Sequence, residues 1–289
     1  MKNIFEDYAM EVDEAQVSHL LQVVTREAQA LMSKEVYVRC LNSVDYTTLN
    51  STDTLALGRA FAERVNKFST VYPAIGNVAA ICVYPALVGA VRQSLTAPNV
   101  KIAAVGAGFP ASQTYIDVKI NECRRAIEEG ADEIDIVISL CHFLAQDYDT
   151  TFEEVQKIKQ ALGKSHLKVI LETGALPTLT QVRQASLLAM AADADFIKTS
   201  TGKMEPAATP QAAIVMCQAI QEFYAKTGKR VGFKPAGGVS TTPQAVLYYA
   251  IVKHILGDDW LNADYFRIGA SRLANHLLGN ITTKTETYF

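Results

Sequence analysis

The sequence predicts a single (β/α)8 TIM barrel with an N-terminal helical extension. Three observations point there. Eight short apolar runs alternate with eight amphipathic helical patterns over about 235 residues, close to the roughly 250 usual for that architecture. The runs are nearly continuous in apolar residues, as in Leu167-Lys-Val-Ile-Leu171, which suits parallel strands covered on both faces. Polar residues gather at the C-terminal end of almost every run, where a barrel builds its mouth. A doubly wound sheet, the competing architecture, would concentrate them at one crevice.

In chain order, residues 14–33 read as a helix because Val17, Leu20, Leu21, Val24, Ala28 and Leu31 recur at helical spacing. Strands are expected at 41–45, 78–83, 101–105, 134–139, 167–172, 196–199, 231–235 and 265–269. Helices are expected at 53–68, 86–95, 113–129, 151–162, 180–192, 210–226 and 243–256, with a last short one after Ser271. Thr151 and Glu154 have capping-box spacing. Thr209-Pro210 and Thr242-Pro243 each place a capping hydroxyl before a first-turn proline. No linker or low-complexity tract interrupts the pattern. The expected organisation is an extension at 1–35, a barrel at 36–278 and a polar tail at 279–289.

Composition narrows the function. Hydrophobic residues make up 49% and charged residues 20%, the balance of a folded enzyme rather than a disordered chain. The 27 basic and 30 acidic residues are mixed along the chain, so no basic footprint for nucleic acid stands out. Five cysteines (Cys40, Cys82, Cys123, Cys141 and Cys217) with no C-x-x-C pair fit a reducing compartment. The acidic start, Met1–Glu14, lacks a signal-peptide pattern. The uncharged stretch Phe68–Val91 is broken by Pro73, Gly76, Asn77 and Pro85 into loop, strand and helix start, which argues against a membrane span. A cytoplasmic enzyme is expected.

The chemistry is read at the strand ends: Asp45 with Thr47, Cys82, Gly106, Asp135, Glu172, Lys198, Lys234, and Gly269 with Ser271. Histidines are missing from this set, and no H-x-H or H-E-x-x-H spacing occurs, so no metal site is expected. Lys198 ends the apolar run Phe196-Ile-Lys-Thr199 and leads into Ser200-Thr-Gly-Lys203; Lys234 repeats the pattern before Pro235-Ala-Gly-Gly238. A free lysine, with a pKa of about 10.4, is a neutral amine in about one molecule in a thousand near neutral pH. Burial and a second ammonium nearby both favour the neutral, nucleophilic form. One such lysine is most simply a structural ion pair; two in succession, each before a glycine loop, indicate imine chemistry.

Alternation turns Asp135 away from Ile134 and Ile136, toward the lysines, either as a proton shuttle or as the ion-pair partner of Lys234. Glu172 reads as an outer member of the same network. Gly202, Lys203, Gly237, Gly238 and Ser271 follow strands six to eight, where barrels commonly hold phosphate. Cys82 reads as a residue lining the substrate site, and Asp45 as inward-facing.

These segments resemble the deoxyribose-phosphate aldolases, class I Schiff-base enzymes on a (β/α)8 barrel. The resemblance rests on Asp45-Tyr-Thr-Thr-Leu49, Asn77-Val-Ala-Ala-Ile-Cys-Val-Tyr-Pro85, Gly130-Ala-Asp-Glu-Ile-Asp135, Leu167-Lys-Val-Ile-Leu-Glu-Thr-Gly174, Ala194–Lys203, Val231–Val239 and Arg267-Ile-Gly-Ala-Ser271. It implies that Lys198 forms an imine with 2-deoxyribose 5-phosphate, that Lys234 lowers the pKa of Lys198, and that Asp135 with Lys234 relays protons. It further implies that Asp45, Thr47, Cys82, Thr201, Gly202, Lys203, Gly237, Gly238 and Ser271 bind substrate, with no metal or organic cofactor. The expected partners are a sugar phosphate and aldehydes, with no nucleic acid and no membrane, in a homo-oligomer, a dimer being favoured.

Four features depart from the family pattern. Arg272 stands where members often have a second serine, the Gly106–Pro110 loop differs in length, and the segment before residue 36 is longer. Tyr288, a candidate proton relay matching a C-terminal tyrosine of some members, is penultimate here. Competing readings are another Schiff-base lyase, such as a transaldolase or a ketose-phosphate aldolase, and a barrel that binds a sugar phosphate without turnover.

Overall fold

The structure is a computed structural model and describes residues 4–289, so the first three residues of the expected 1–35 extension lie outside it. In chain order the elements are α1 (Glu14–Ala30), α2 (Lys34–Asn42), β1 (Val44–Thr47), α3 (Leu55–Val71), β2 (Ala80–Val83), α4 (Val88–Ser94), β3 (Lys101–Gly106), α5 (Ile116–Glu128) and β4 (Glu133–Val137). There follow α6 (Leu140–Leu144), α7 (Tyr148–Leu162), β5 (His166–Ile170), α8 (Leu179–Ala191), β6 (Phe196–Lys198), α9 (Pro210–Thr227), β7 (Gly232–Lys234), α10 (Thr242–Leu256), β8 (Ile268–Ala270) and α11 (Leu273–Thr282).

The eight strands are parallel, in the order β7-β6-β5-β4-β3-β2-β1-β8. Isolated bridges pairing Phe233 with Phe266 and Ala236 with Gly269 close β7 onto β8. This is the (β/α)8 barrel. Strands are buried on both faces because helices cover the outside while side chains fill the inside, which is why they read as unbroken apolar runs. Among the described residues, no helix is long and apolar enough to cross a membrane.

Several local expectations need correction. Helix α2, unanticipated, is capped by Ser33, whose hydroxyl accepts from Val36 N, and it packs on α11 and α10. It displaces the first strand from 41–45 to Val44–Thr47. Helix α7 starts one turn before Thr151, capped by Asp147; Thr151 lies inside it, donating to the Asp147 carbonyl at 2.9 Å. In α10 the cap is Thr241, in a capping box with Gln244, so Thr242 is already helical. Helix α11 continues to Thr282, past the expected boundary at 279, and the chain end is not simply polar. It returns to α3, where Phe289 packs 5.1 Å from both Tyr46 and Phe68. Helix α1 lies against α10 and α9 and is tied to α10 by Glu27 and His254, 2.9 Å apart.

Candidate active site

Lys198, Asp135 and Lys234 meet inside the barrel. β6 and β7 pair in register, so Lys198 and Lys234 are direct neighbours at matching strand ends. Both donate to the same oxygen, Oδ2 of Asp135, each at 2.8 Å. Alternation along β4 turns Asp135 inward, as expected, and it is fully buried.

Around this triad is a cluster that the sequence reading did not assemble. Lys168, the one buried polar residue of β5, donates to Asp135 Oδ1 at 3.1 Å and to Glu133 at 2.5 Å. Arg267 donates to Asp45 at 2.7 Å and to Glu133 at 2.9 Å, and Lys234 also donates to Asp45. All are buried. The signal was a charge within each of several buried strands; which charge would meet which depends on register around the cylinder.

The charge balance decides what Lys198 is. The Asp45, Glu133 and Asp135 carboxylates face Lys168, Lys234 and Arg267, and these six compensate one another without Lys198. An ammonium at Lys198 would be a surplus cation in a desolvated cluster, which is costly. Burial first, and then the charge of Lys234, hold the Lys198 amine below the ordinary lysine range, against the pull of Asp135. Lys234 moves the opposite way: burial favours its neutral form, but Asp135 and Asp45 outweigh it and keep it an ammonium. Burial pushes Asp135 up, yet Lys168, Lys198 and Lys234 together hold it well below the usual carboxylate range. The site thus sets an amine whose neutral form is favoured beside a lysine held as a cation and a carboxylate held ionised, a set suited to attack on a carbonyl and to proton transfer.

Above the cluster opens a cavity of about 510 Å3, bordered by the segments after β1, β6, β7 and β8. Thr47, Thr201, Gly202, Lys203, Gly237, Gly238 and Ser271 line it, together with Asn50, Ser240 and Arg272. Among the described residues its charged lining is Lys198, Lys203 and Arg272, without a carboxylate. Lys203 Nζ crosses the mouth to donate to the Leu49 carbonyl at 2.5 Å. Gly237 needs to be glycine: φ is +85°, and a β-carbon there would sit 2.6 Å from Ala207 Cβ and 3.0 Å from Gly202 Cα. Its cations and glycine-freed backbone make this rim chemically suited to an anion.

Other candidates lie elsewhere. Asp45 is fully buried in the charge cluster rather than at the cavity wall. Cys82 is likewise buried, packed with Leu49, Ala80, Ala103 and Val105, and burial pushes its thiol pKa up. Glu172 is not part of the lysine network: it accepts from Thr201, from the amide at 3.1 Å and from the hydroxyl at 2.5 Å. The Gly106–Pro110 loop does not border the cavity. Tyr288 docks on the flank of α3, where its hydroxyl donates to the Arg64 carbonyl at 2.7 Å and its ring packs 5.5 Å from Phe68 and Tyr72.

Comparison with known proteins bears on family and fold. The profile of the DeoC/LacD family aldolases matches residues 40–258. The deoxyribose-phosphate aldolase of Mus musculus is 38% identical over 290 residues, covering 92% of this chain and 89% of the relative. That of Bos taurus is 40% identical over 246 residues, covering 82% of this chain and 77% of the relative. Among solved structures, the tetrameric deoxyribose phosphate aldolase of Aeropyrum pernix superposes with a TM-score of 0.68 over 89% of this chain and 96% of its own; at 22% identity that likeness concerns the fold. With a family match over residues 40–258, and curated aldolases alike over most of its length, the chain belongs to the DeoC/LacD family of aldolases, and its activity is that of an aldolase lyase.

Proposed function

We propose that the protein is a class I deoxyribose-phosphate aldolase that cleaves 2-deoxy-D-ribose 5-phosphate to D-glyceraldehyde 3-phosphate and acetaldehyde through a Schiff base on Lys198. The observation that carries this is that Lys198 alone of the clustered lysines borders the cavity, while the fixed charge of Lys234 shares its carboxylate partner. Lys198 Nζ adds to the C1 aldehyde, and with one proton taken up from solvent, returned at the final hydrolysis, water leaves and a protonated imine forms. Asp135, relayed through Lys234, accepts the proton of the C3 hydroxyl. The C2–C3 bond then breaks, its electron pair passing into the imine to give an enamine and the three-carbon aldehyde phosphate. Protonation at C2 and attack of water on the regenerated imine release acetaldehyde and free the lysine.

Electrons balance within this sequence, so it calls for neither a metal nor an organic cofactor. The phosphate is assigned to the rim of Gly202, Lys203, Gly237, Gly238 and Ser271, with Thr47 and Thr201 nearer the sugar. Asp45 acts from beneath, through the charge cluster, and Cys82 packs beneath the site. A cytoplasmic homo-oligomer, most simply a dimer, completes the proposal; its other partners are the aldehydes, with no nucleic acid or membrane.

Borohydride reduction in the presence of acetaldehyde tests the mechanism: an ethyl adduct mapped to Lys198 supports it. No adduct would leave a sugar-phosphate binder. Product analysis with deoxyribose 5-phosphate against fructose phosphates separates this activity from a transaldolase or ketose-phosphate aldolase.

A further inference from the structure

The β5–α8 connection contains an anomaly that the reaction above does not use. Glu172 has φ +51° and ψ +60°, a left-handed conformation that a residue bearing a β-carbon adopts at a cost and that glycine would adopt freely. It is also 2% exposed, an expensive place for a carboxylate. Strain of this kind persists where the surroundings over-determine it, often beside a functional site.

What holds Glu172 is the segment that follows β6. Both its oxygens are engaged by Thr201, one by the amide and one by the hydroxyl, and the Thr201 hydroxyl in turn accepts from Lys203 N at 3.0 Å. A chain of hydrogen bonds therefore runs from Glu172 through Thr201 to the backbone of Lys203. It fixes Thr201-Gly202-Lys203, the segment that borders the cavity beside Gly237 and Gly238. A second contact joins the same two connections: Gly174 lies so close to Pro206 that a β-carbon would meet its carbonyl oxygen at 1.9 Å.

We propose that Glu172 is a positioning residue for the anion-binding loop. It never meets substrate; it holds the Lys203 backbone and the Gly202 turn in the geometry that receives the phosphate. The carboxylate acts as a double acceptor that neither glycine nor glutamine supplies, since an amide turned toward the hydroxyl would offer a donor where an acceptor is needed. The inference rests on the aldolase reading above and assigns a determinant of its phosphate selectivity.

The test compares two reactions of the same variant. Glu172→Gln is assayed for cleavage of deoxyribose 5-phosphate and for borohydride trapping of acetaldehyde, which carries no phosphate. Inorganic phosphate serves as a competitive inhibitor in both wild type and variant. Losing one charge-assisted hydrogen bond in a buried relay leads us to expect about a tenfold rise in KM and in the phosphate inhibition constant. The loss in kcat/KM should exceed the loss in acetaldehyde trapping by a similar factor. Equal losses in both reactions, or an unchanged phosphate constant, overturn the proposal. Should Glu172→Gln fail to fold, Thr201→Val interrupts the same relay and must show the same split; a Thr201→Val enzyme with wild-type KM also overturns it. A wild type that neither cleaves the sugar phosphate nor traps acetaldehyde would instead refute the aldolase reading itself.

Discussion

Removing the charge of Lys234 is the sharpest probe of how Lys198 is kept neutral. The two amines each lie 2.8 Å from one carboxylate oxygen. Taking them as roughly 5 Å apart with an effective dielectric of about 20, their repulsion is about 3 kcal/mol, or about 2 pK units. In Lys234→Met that repulsion disappears. Three carboxylates then face two permanent cations, and the cluster regains balance by protonating Lys198. The sign is therefore upward: the Lys198 pKa rises by about 2 units and the neutral fraction at pH 7 falls, by at most about a hundredfold. The assay is the pH dependence of acetaldehyde trapping by borohydride between pH 5 and 10, with folding followed by circular dichroism. The rising limb should move to higher pH by about the calculated shift. A variant that traps more slowly with its midpoint unmoved would show that Lys234 acts by some route other than electrostatic activation.

Three further outcomes are expected. Lys198→Ala abolishes trapping and lowers turnover by about four orders of magnitude or more, while thermal unfolding stays cooperative because the six remaining charges still balance; cleavage at the wild-type rate would unseat the nucleophile. Asp45 and Asp135 titrate below the ordinary carboxylate range in the folded protein despite burial, because the cations around them outweigh it, so their stabilisation is complete above about pH 5 and is lost as acid protonates the unfolded chain first. The urea midpoint should fall below about pH 4, and less steeply in Asp135→Asn, itself about 3–5 kcal/mol less stable at neutral pH; parallel slopes would contradict this. Tyr288→Phe, which removes only the hydrogen bond to Arg64, should cost about 1 kcal/mol of stability and change kcat less than twofold; a tenfold fall in kcat would return Tyr288 to the proton path.

The sequence disclosed the barrel because its two periodicities are written locally, in apolar runs and helical spacing. It also disclosed Lys198, Lys234 and Asp135, since a charge inside a buried strand is visible without knowing its partner. Lys168, Glu133 and Arg267 carried the same mark, but their partners lie on other strands, and only closure of the cylinder brings them together. Helix α2 escaped notice because Val36-Tyr37-Val38 favours a strand by local propensity; Ser33 capping and packing on α11 override that preference. Thr151 misled for a related reason: Asp147 and Thr151 are both good caps one turn apart, and local spacing does not choose between them. Glu172, at the end of the fifth expected strand, reads as an outer member of the lysine network, whereas its left-handed backbone turns it toward Thr201 in the segment after β6.

The closing seam between β7 and β8 rests on isolated bridges rather than on a ladder, so the cylinder is least well hooped beside the strand that bears Lys234. The buried ions act there as crossbars. Lys234 reaches from β7 to β1, while Arg267, just before β8, grips β1 and β4. Amide protons along this seam should therefore report on the ions: in Arg267→Met they should exchange with deuterium faster than those of β3–β4, the side of the hoop farthest from the gap. The charges that ready an amine for covalent work would, on this view, also keep the wheel from springing open.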